Sequence, residues 1–121
     1  MVIYIATVWA KPGHEDHVTR YYRDLEPLMR AAKGYRGRRI LRAQPGTVLA
    51  AVSRFVSKED LARHAEHAGP DGVHFVILEE WDSIEERVAF SRTAVAGRGE
   101  GLFAHILPQH SHEFYEDVSP A

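Results

Sequence analysis

The segment at residues 73–81, with the sequence VHFVILEEW, constrains the fold more than any other part of the chain. Its β-branched and aromatic residues predict a strand. Alternation along that strand places two sets of side chains on opposite faces: Phe75, Ile77, Glu79 and Trp81 on one, and His74, Val76, Leu78 and Glu80 on the other. Because both faces are largely apolar, we expect one to pack on helices and the other to need a second cover, such as another subunit.

Further strands are predicted at residues 2–9, 36–42, 47–55 and 110–118. Apolar residues at helical spacing predict a helix over residues 18–32, which Pro27 should kink or split because proline removes one backbone hydrogen bond. Ser57 and Ser83 each precede an acidic residue by three positions, a pattern that caps helices. The order of elements predicts one α+β domain over residues 1–121, with an antiparallel sheet and helices on one face.

Composition excludes several classes of protein. The chain of 121 residues has no cysteine, so it has no disulfide framework, thiol nucleophile or thiolate metal site. A net charge of −2 without a basic run argues against a nucleic-acid partner. No run of 18 apolar residues and no leader pattern are present, so we expect a soluble cytoplasmic protein that does not insert into a membrane.

Eight histidines are the main candidates for chemistry. His110 and His112 share one strand face, and with His74 they could hold a divalent metal, line a pocket or simply face solvent. His74 lies in an apolar run, where burial can adapt an imidazole for general base catalysis; it could equally be a core or interface residue. Trp81 could pack in the core or form a pocket wall. His14 and His17 start a helix with charged neighbours, which favours solvated surface.

Four short motifs occur in an order that resembles one known family. They are Lys11-Pro12-Gly13 after the first strand, Gly34-Tyr35-Arg36-Gly37 before the second, the strand-to-helix junction at residues 76–83, and the closing strand at residues 112–116. Together they resemble the antibiotic biosynthesis monooxygenase family, whose fold is a ferredoxin-like dimeric α+β barrel. Residues 44–72 depart from that family. We interpret them as an extra strand–helix insertion, with the alternative that the Phe55-Val56-Ser57 junction is the true family equivalent.

The resemblance implies a monooxygenase without cofactor that oxidises an aromatic phenol, anthrone or polyketide-like substrate with dioxygen, and a homodimer. Trp81 corresponds to the family's pocket tryptophan, and Thr7 stands where several members have an asparagine. Heme-degrading members carry a histidine ligand where this chain has Phe90 or Ser91, so heme degradation is not expected. We expect substrate contacts from Trp81, Thr7, Phe90 and Tyr22.

Two alternatives to this activity stay open at this point. One is a non-catalytic protein of the same fold that binds a small molecule or has a structural role. The other is a metal-dependent enzyme that uses His74, His110 and His112. In the favoured hypothesis no metal is needed, and His74 or His112 is the catalytic base.

Overall fold

A computed structural model describes the backbone of residues 1–66 and 70–121, and the side chains of residues 1–63 and 70–121. The strands in these ranges are β1 (Val2–Ala10), β2 (Tyr35–Arg42), β3 (Val73–Trp81) and β4 (Ile106–Tyr115). The helices in the same ranges are α1 (Glu15–Asp24), α2 (Glu26–Ala31), α3 (Thr47–Val52), α4 (Lys58–Glu66), α5 (Ile84–Thr93) and α6 (Glu100–Phe103). Within the described ranges, no helix has the length and apolar character needed to cross a membrane.

The strands form one open antiparallel sheet in the order β2-β3-β1-β4. This order confirms the predicted α+β ferredoxin-like fold. In the register of the two central pairs, Ala6 of β1 lies opposite Ile77 of β3 and His112 of β4. Side chains that are paired across a sheet point to the same face, so this register fixes which residues of distant segments can meet.

The core lies between one face of the sheet and the helices. On β3 the buried residues alternate, and Phe75, Ile77 and Trp81 are fully covered. Helix α1 contributes Val18, and α2 contributes Met29. The predicted break at Pro27 is confirmed, because the chain starts a new helix at Glu26 with the proline in its first turn, where no backbone bond is lost.

On the opposite face of the sheet, the side chains of β1 and β3 are only half-buried, and they include the apolar residues Ile3, Ile5, Trp9, Val76 and Leu78. Leu41 of the neighbouring strand β2 is 41% exposed. This is the second apolar face that the alternation of residues 73–81 predicted.

The prediction of a strand at residues 47–55 is wrong. The chain turns at Gly46, whose φ of 79° suits glycine, and then forms helix α3. Thr47 Oγ1 donates to the carbonyl of Gln44 at 2.7 Å and closes this turn. The alanine-rich stretch that follows favours a helix, and a short apolar run does not distinguish helix from strand. Residues 44–72 therefore contribute helices, and no strand, within their described part.

The two predicted serine caps are confirmed. The backbone N–H of Asp60 donates to Ser57 Oγ at 3.2 Å, and the N–H of Glu86 donates to Ser83 Oγ at the same distance. The Ser83 hydroxyl in turn donates to the Glu86 carboxylate at 2.9 Å, so the two side chains are joined at the start of the helix. Helix α5 is thus fixed directly after Trp81, and it carries the residues that close one side of the site.

Candidate active site

A cavity of about 370 Å³ lies between the helix-covered face of the sheet and helices α1, α2, α5 and α6. Its apolar lining includes Ala6, Val8, Leu25, Met29, Phe90, Leu102, Phe103 and Ile106. Its polar lining includes Tyr4, Tyr21, Tyr22, Glu79, Arg87, His110 and His112. Mostly apolar walls with a few convergent polar groups are typical of a site for a small organic ligand.

A buried ion pair forms the inner end of this cavity. Arg87 Nε donates to Glu79 Oε1 at 2.7 Å, and the two side chains are only 11% and 5% exposed. The same oxygen accepts a hydrogen bond of 2.8 Å from Trp81 Nε1. Arg87 also donates to the hydroxyl of Ser91, one turn later on α5. Glu79 is therefore held by two donors, and Arg87 by two acceptors.

Tyr4 connects the ion pair to His112. The guanidinium carbon of Arg87 lies 4.2 Å from the centre of the Tyr4 ring, a cation–π contact. The Tyr4 hydroxyl lies 3.1 Å from His112 Nδ1, on the neighbouring strand β4. Because His112 is exposed, this pair stands at the open side of the cavity, whereas the ion pair lies inside it.

Burial raises the pKa of the tyrosines that line the cavity, including Tyr4 and Tyr22. It raises the pKa of Tyr4, an effect that the Arg87 charge opposes and the Glu79 charge reinforces. Burial also strongly raises the pKa of Tyr22, assisted by Tyr21, Tyr4 and Glu79. Both phenols are therefore neutral at neutral pH, and each can donate a hydrogen bond to a ligand.

The predicted site residues divide into two groups. His112, Tyr22 and Phe90 line the cavity. Trp81 is fully buried and packs in the core, with its ring centre 5.4 Å from that of the cavity-lining residue Phe90. Thr7 points to the other face of the sheet, where its hydroxyl contacts the side chain of Ser111.

His74 also lies on the other face, stacked on Trp9 with a centroid distance of 4.3 Å. The structure therefore does not bring together His74, His110 and His112, the set considered for a metal. His110 and His112 lie opposite Val8 and Ala6, whereas His74 lies opposite Trp9, and successive residues of β1 point to opposite faces. In the described part of the chain, no group of three or more histidine, cysteine or acidic side chains is arranged to hold a metal ion.

Sequence reasoning missed Tyr4, Glu79 and Arg87. We assigned no role to Glu79 from the sequence, but the residue is only 4% exposed. Its alternation with Phe75 and Ile77 was the available signal, because a carboxylate on a core face needs a buried partner. Arg87 stands four residues after the helix cap Ser83, and only the packing of α5 on β3 shows that it is that partner.

Comparison with known proteins points to one family and one fold. The sequence model of the antibiotic biosynthesis monooxygenase family matches residues 1–70. A comparison with curated protein sequences finds no match.

Several solved structures share the fold across almost the whole chain. A candidate monooxygenase of that family from Deinococcus radiodurans has 18% identity and a TM-score of 0.66, with 100% of this chain and 96% of that chain covered. A candidate from Bordetella bronchiseptica has 15% identity and a TM-score of 0.66, with 98% and 97% covered. A variant of SnoaB, a cofactor-independent oxygenase from Streptomyces nogalater, has 10% identity and a TM-score of 0.64, with 98% and 94% covered.

Proposed function

The chain belongs to the antibiotic biosynthesis monooxygenase family, and on that premise we propose that it is a cofactor-independent monooxygenase of small aromatic substrates. The substrate class we propose is an electron-rich phenol, anthrone or polyketide-like ring system, oxidised by dioxygen. The observation that carries this proposal is the Tyr4–His112 pair at the open side of an apolar cavity, with contact distance 3.1 Å. The similarity of fold to SnoaB supports it.

His112 is the proposed base. When the proton of the neutral imidazole is on Nδ1, His112 donates to the Tyr4 oxygen and keeps a lone pair on Nε2 for the substrate. A positioned base of this kind contributes about 10²- to 10⁴-fold to a reaction rate. His74 was the other candidate, but it stacks on Trp9 on the opposite, half-buried apolar face of the sheet, away from the cavity.

Tyr4 and Arg87 would stabilise the substrate anion that His112 produces. Tyr4 is a neutral donor, and the Arg87 charge lies 4.2 Å from its ring centre. In an apolar site such groups act more strongly than in water and need no reorganisation. The anion then forms a carbon–oxygen bond with dioxygen to give a peroxide. With an anthrone, loss of water from the protonated peroxide converts the ring CH₂ group to C=O, so one O₂ is consumed and one H₂O released.

We further propose that residues 1–121 form a single domain that works as a homodimer. The half-buried apolar face of the sheet, with Val76 and Leu78 near its centre, supports this assembly. An apolar sheet face that is left uncovered in a monomer is a typical protein interface. Two sheets packed through these faces would place their cavities on the outer, helix-covered sides.

A non-catalytic binding protein is the second candidate, and one observation favours it. Arg87 is already paired with Glu79 and Ser91, so its charge is largely compensated before any ligand binds. A cavity with a compensated cation can hold a neutral phenol without favouring its anion. The two candidates therefore differ in whether the bound phenol is deprotonated.

Oxygen uptake by the metal-stripped protein distinguishes them. The panel should contain anthrones, naphthols and quinols, with binding of each compound measured in parallel by calorimetry. We expect at least one compound to be oxidised faster than in buffer, with one O₂ molecule consumed per molecule of product formed. Binding without oxidation throughout the panel would instead establish the binding protein, and neither binding nor oxidation would contradict both candidates.

A further inference from the structure

Three histidines meet outside the cavity, at the turn between β1 and α1. His14 Nδ1 lies 2.9 Å from His105 Nδ1. The ring of His17 stacks on that of His105, with 4.5 Å between centroids and 4° between planes. The sequence suggested a solvated pair at His14 and His17, but it could not show that His105 joins them from the other end of the chain. We call His14, His17 and His105 the histidine cluster.

The histidine cluster joins the turn after β1 to the segment that closes the cavity. His105 lies two residues after the end of α6, and Leu102, Phe103 and Ile106 around it all line the cavity. Lys11 adds two bonds across the same junction: its backbone N–H donates to the His105 carbonyl at 2.9 Å, and its Nζ donates to the Ala104 carbonyl at 3.0 Å. The position of α6 over the cavity therefore depends on this junction.

The hydrogen bond between His14 and His105 requires that one of the two Nδ1 atoms keep its lone pair. If both rings were protonated, two N–H groups would face each other, and the bond would be replaced by repulsion. Only one proton at this contact is therefore compatible with the closed junction. Parallel stacked rings such as His17 and His105 cannot aim their lone pairs at one point, so the cluster suits proton binding better than metal binding.

The surrounding charges add to this repulsion. Partial burial lowers the pKa of His105, and His17, His14 and Lys11 lower it further. The carboxylates of the first turn of α1 have other partners: Glu15 accepts from the Gly13 N–H at 3.3 Å, and Asp16 pairs with Arg42 at 3.0 Å.

The other elements at the junction add no opposing charge that is bound to the cluster. On α6 the titratable side chain is Glu100, and no ion pair joins it to the cluster among the described residues. The same element ends with the Leu102–Phe103 pair, which is apolar. Acidification therefore adds positive charge to a group that already contains the Lys11 ammonium.

We propose that the histidine cluster is a proton-sensitive clasp that holds α6 over the cavity at neutral pH and releases it on acidification. The clasp controls access to the cavity, and it functions whether the cavity oxidises its ligand or only binds it. Its release needs the loss of the His14–His105 bond, together with enough repulsion to break the two hydrogen bonds that Lys11 makes to His105 and Ala104. The sheet and its core, including Trp81 and Phe75, stay folded because none of the three histidines packs within them.

Amide hydrogen exchange followed by NMR tests the clasp directly. The amides of Leu102, Phe103 and His105 make hydrogen bonds of 2.9–3.0 Å within this segment, so their protection reports whether it is closed. After correction for the intrinsic effect of pH, we expect their protection to fall by about tenfold or more between about pH 7.5 and about pH 5.5, since one pKa unit corresponds to tenfold. The amides of β1 and β3 should keep their protection against exchange over the same pH range.

His105→Gln should remove the response, leaving protection in α6 nearly independent of pH. If His105→Gln misfolds, His17→Gln provides a second test. It keeps the His14–His105 bond and removes one repelling charge, so the release of α6 should shift to lower pH. Asp16→Asn is the matched control on the same turn and should behave as the parent. Unchanged protection in the parent, a full response in both histidine variants, or tight stoichiometric binding of Zn²⁺ that His14→Gln abolishes would each overturn the proposal.

Discussion

Trp81 and Glu79 lie two residues apart on the same face of β3, and Trp81 Nε1 donates a hydrogen bond of 2.8 Å to the Glu79 carboxylate. Burial removes water from that carboxylate, and the indole N–H together with Arg87 Nε replaces the lost hydrogen bonds. The tryptophan thus acts on the cavity through another residue. It is a positioning residue for the ion pair, although the family resemblance suggested that it walls the pocket.

The Glu79–Arg87 pair should be sensitive to loss of either partner. Glu79→Gln or Arg87→Met leaves the other charge buried, and such changes destabilise proteins by about 3–5 kcal/mol. Urea unfolding should show this loss, and the double variant should recover much of it. Arg30 forms an ion pair with Glu26, and its side chain is 75% exposed. Arg30→Met breaks this pair and should change the free energy of unfolding by less than about 1 kcal/mol. Equal effects of the Arg87 and Arg30 variants would contradict this account.

Trp81 should matter first for stability. Truncation of a fully buried tryptophan to alanine destabilises by about 3–5 kcal/mol, so Trp81→Ala should lower the urea midpoint sharply. Trp81→Phe keeps most of the ring but removes the donor to Glu79. We expect it to lose less stability and still to weaken ligand binding, because Glu79 and Arg87 shift. If Trp81→Phe binds ligand as the parent does, the indole N–H has no positioning role.

The sequence predicted which side chains share a face of a strand better than it predicted which side chains pair with each other. Alternation along β3 correctly grouped Glu79 with Phe75 and Ile77, yet nothing in that pattern identifies Arg87 as the group that compensates the carboxylate. The prediction of a strand at residues 47–55 was wrong for another reason. A short apolar run with alanines is compatible with a helix and with a strand, and the turn at Gly46 decides between them.

The histidines show what pairing register adds. His74 and His112 are both on strands next to β1, so sequence reasoning could expect them to lie near each other. In the register, however, His74 lies opposite Trp9 and His112 opposite Ala6, which puts the two imidazoles on different faces of the sheet. A shift by one residue would reverse this, and no local sequence signal specifies that shift.

His112 and Tyr4 should be required for turnover. If the protein is an oxygenase, His112→Ala should lower kcat by about tenfold or more, within the usual range for loss of a base. Tyr4→Phe keeps the ring under Arg87 and should also lower kcat, with a change in stability of about 1 kcal/mol. Glu113→Ala is the control on the adjacent position of β4, whose partner Ile5 lies on the other face. Oxygen uptake by His112→Ala at the parental rate would exclude this base.

The open face of the sheet should hold the proposed dimer together. Leu78→Arg would place a charge among half-buried apolar residues of β3, and burial of an unpaired charge is strongly unfavourable. Light scattering at micromolar concentration should give a dimer for the parent and a monomer for this variant. Val48→Arg is a suitable control, because that side chain is 69% exposed on α3. A monomeric parent protein would contradict the proposed assembly.

Stability should decrease on acidification partly because of His74. Burial lowers the pKa of His74 in the folded protein, so the unfolded chain binds the proton more readily. The contribution of His74 to stability is therefore complete above its ordinary pKa of about 6.5 and is lost as the pH falls through the lowered value. Urea midpoints measured across that range should decrease, and the decrease should be smaller in His74→Gln.

Val76→Ala is the matched control, because it alters the same face without removing a titrating group, and its pH dependence should equal that of the parent. Formation of the dimer would bury His74 more deeply against Trp9, so the decrease should become steeper at higher protein concentration. The same slope in His74→Gln and in the parent would show that His74 is not the group responsible. A slope that is independent of concentration would instead separate His74 from the subunit interface.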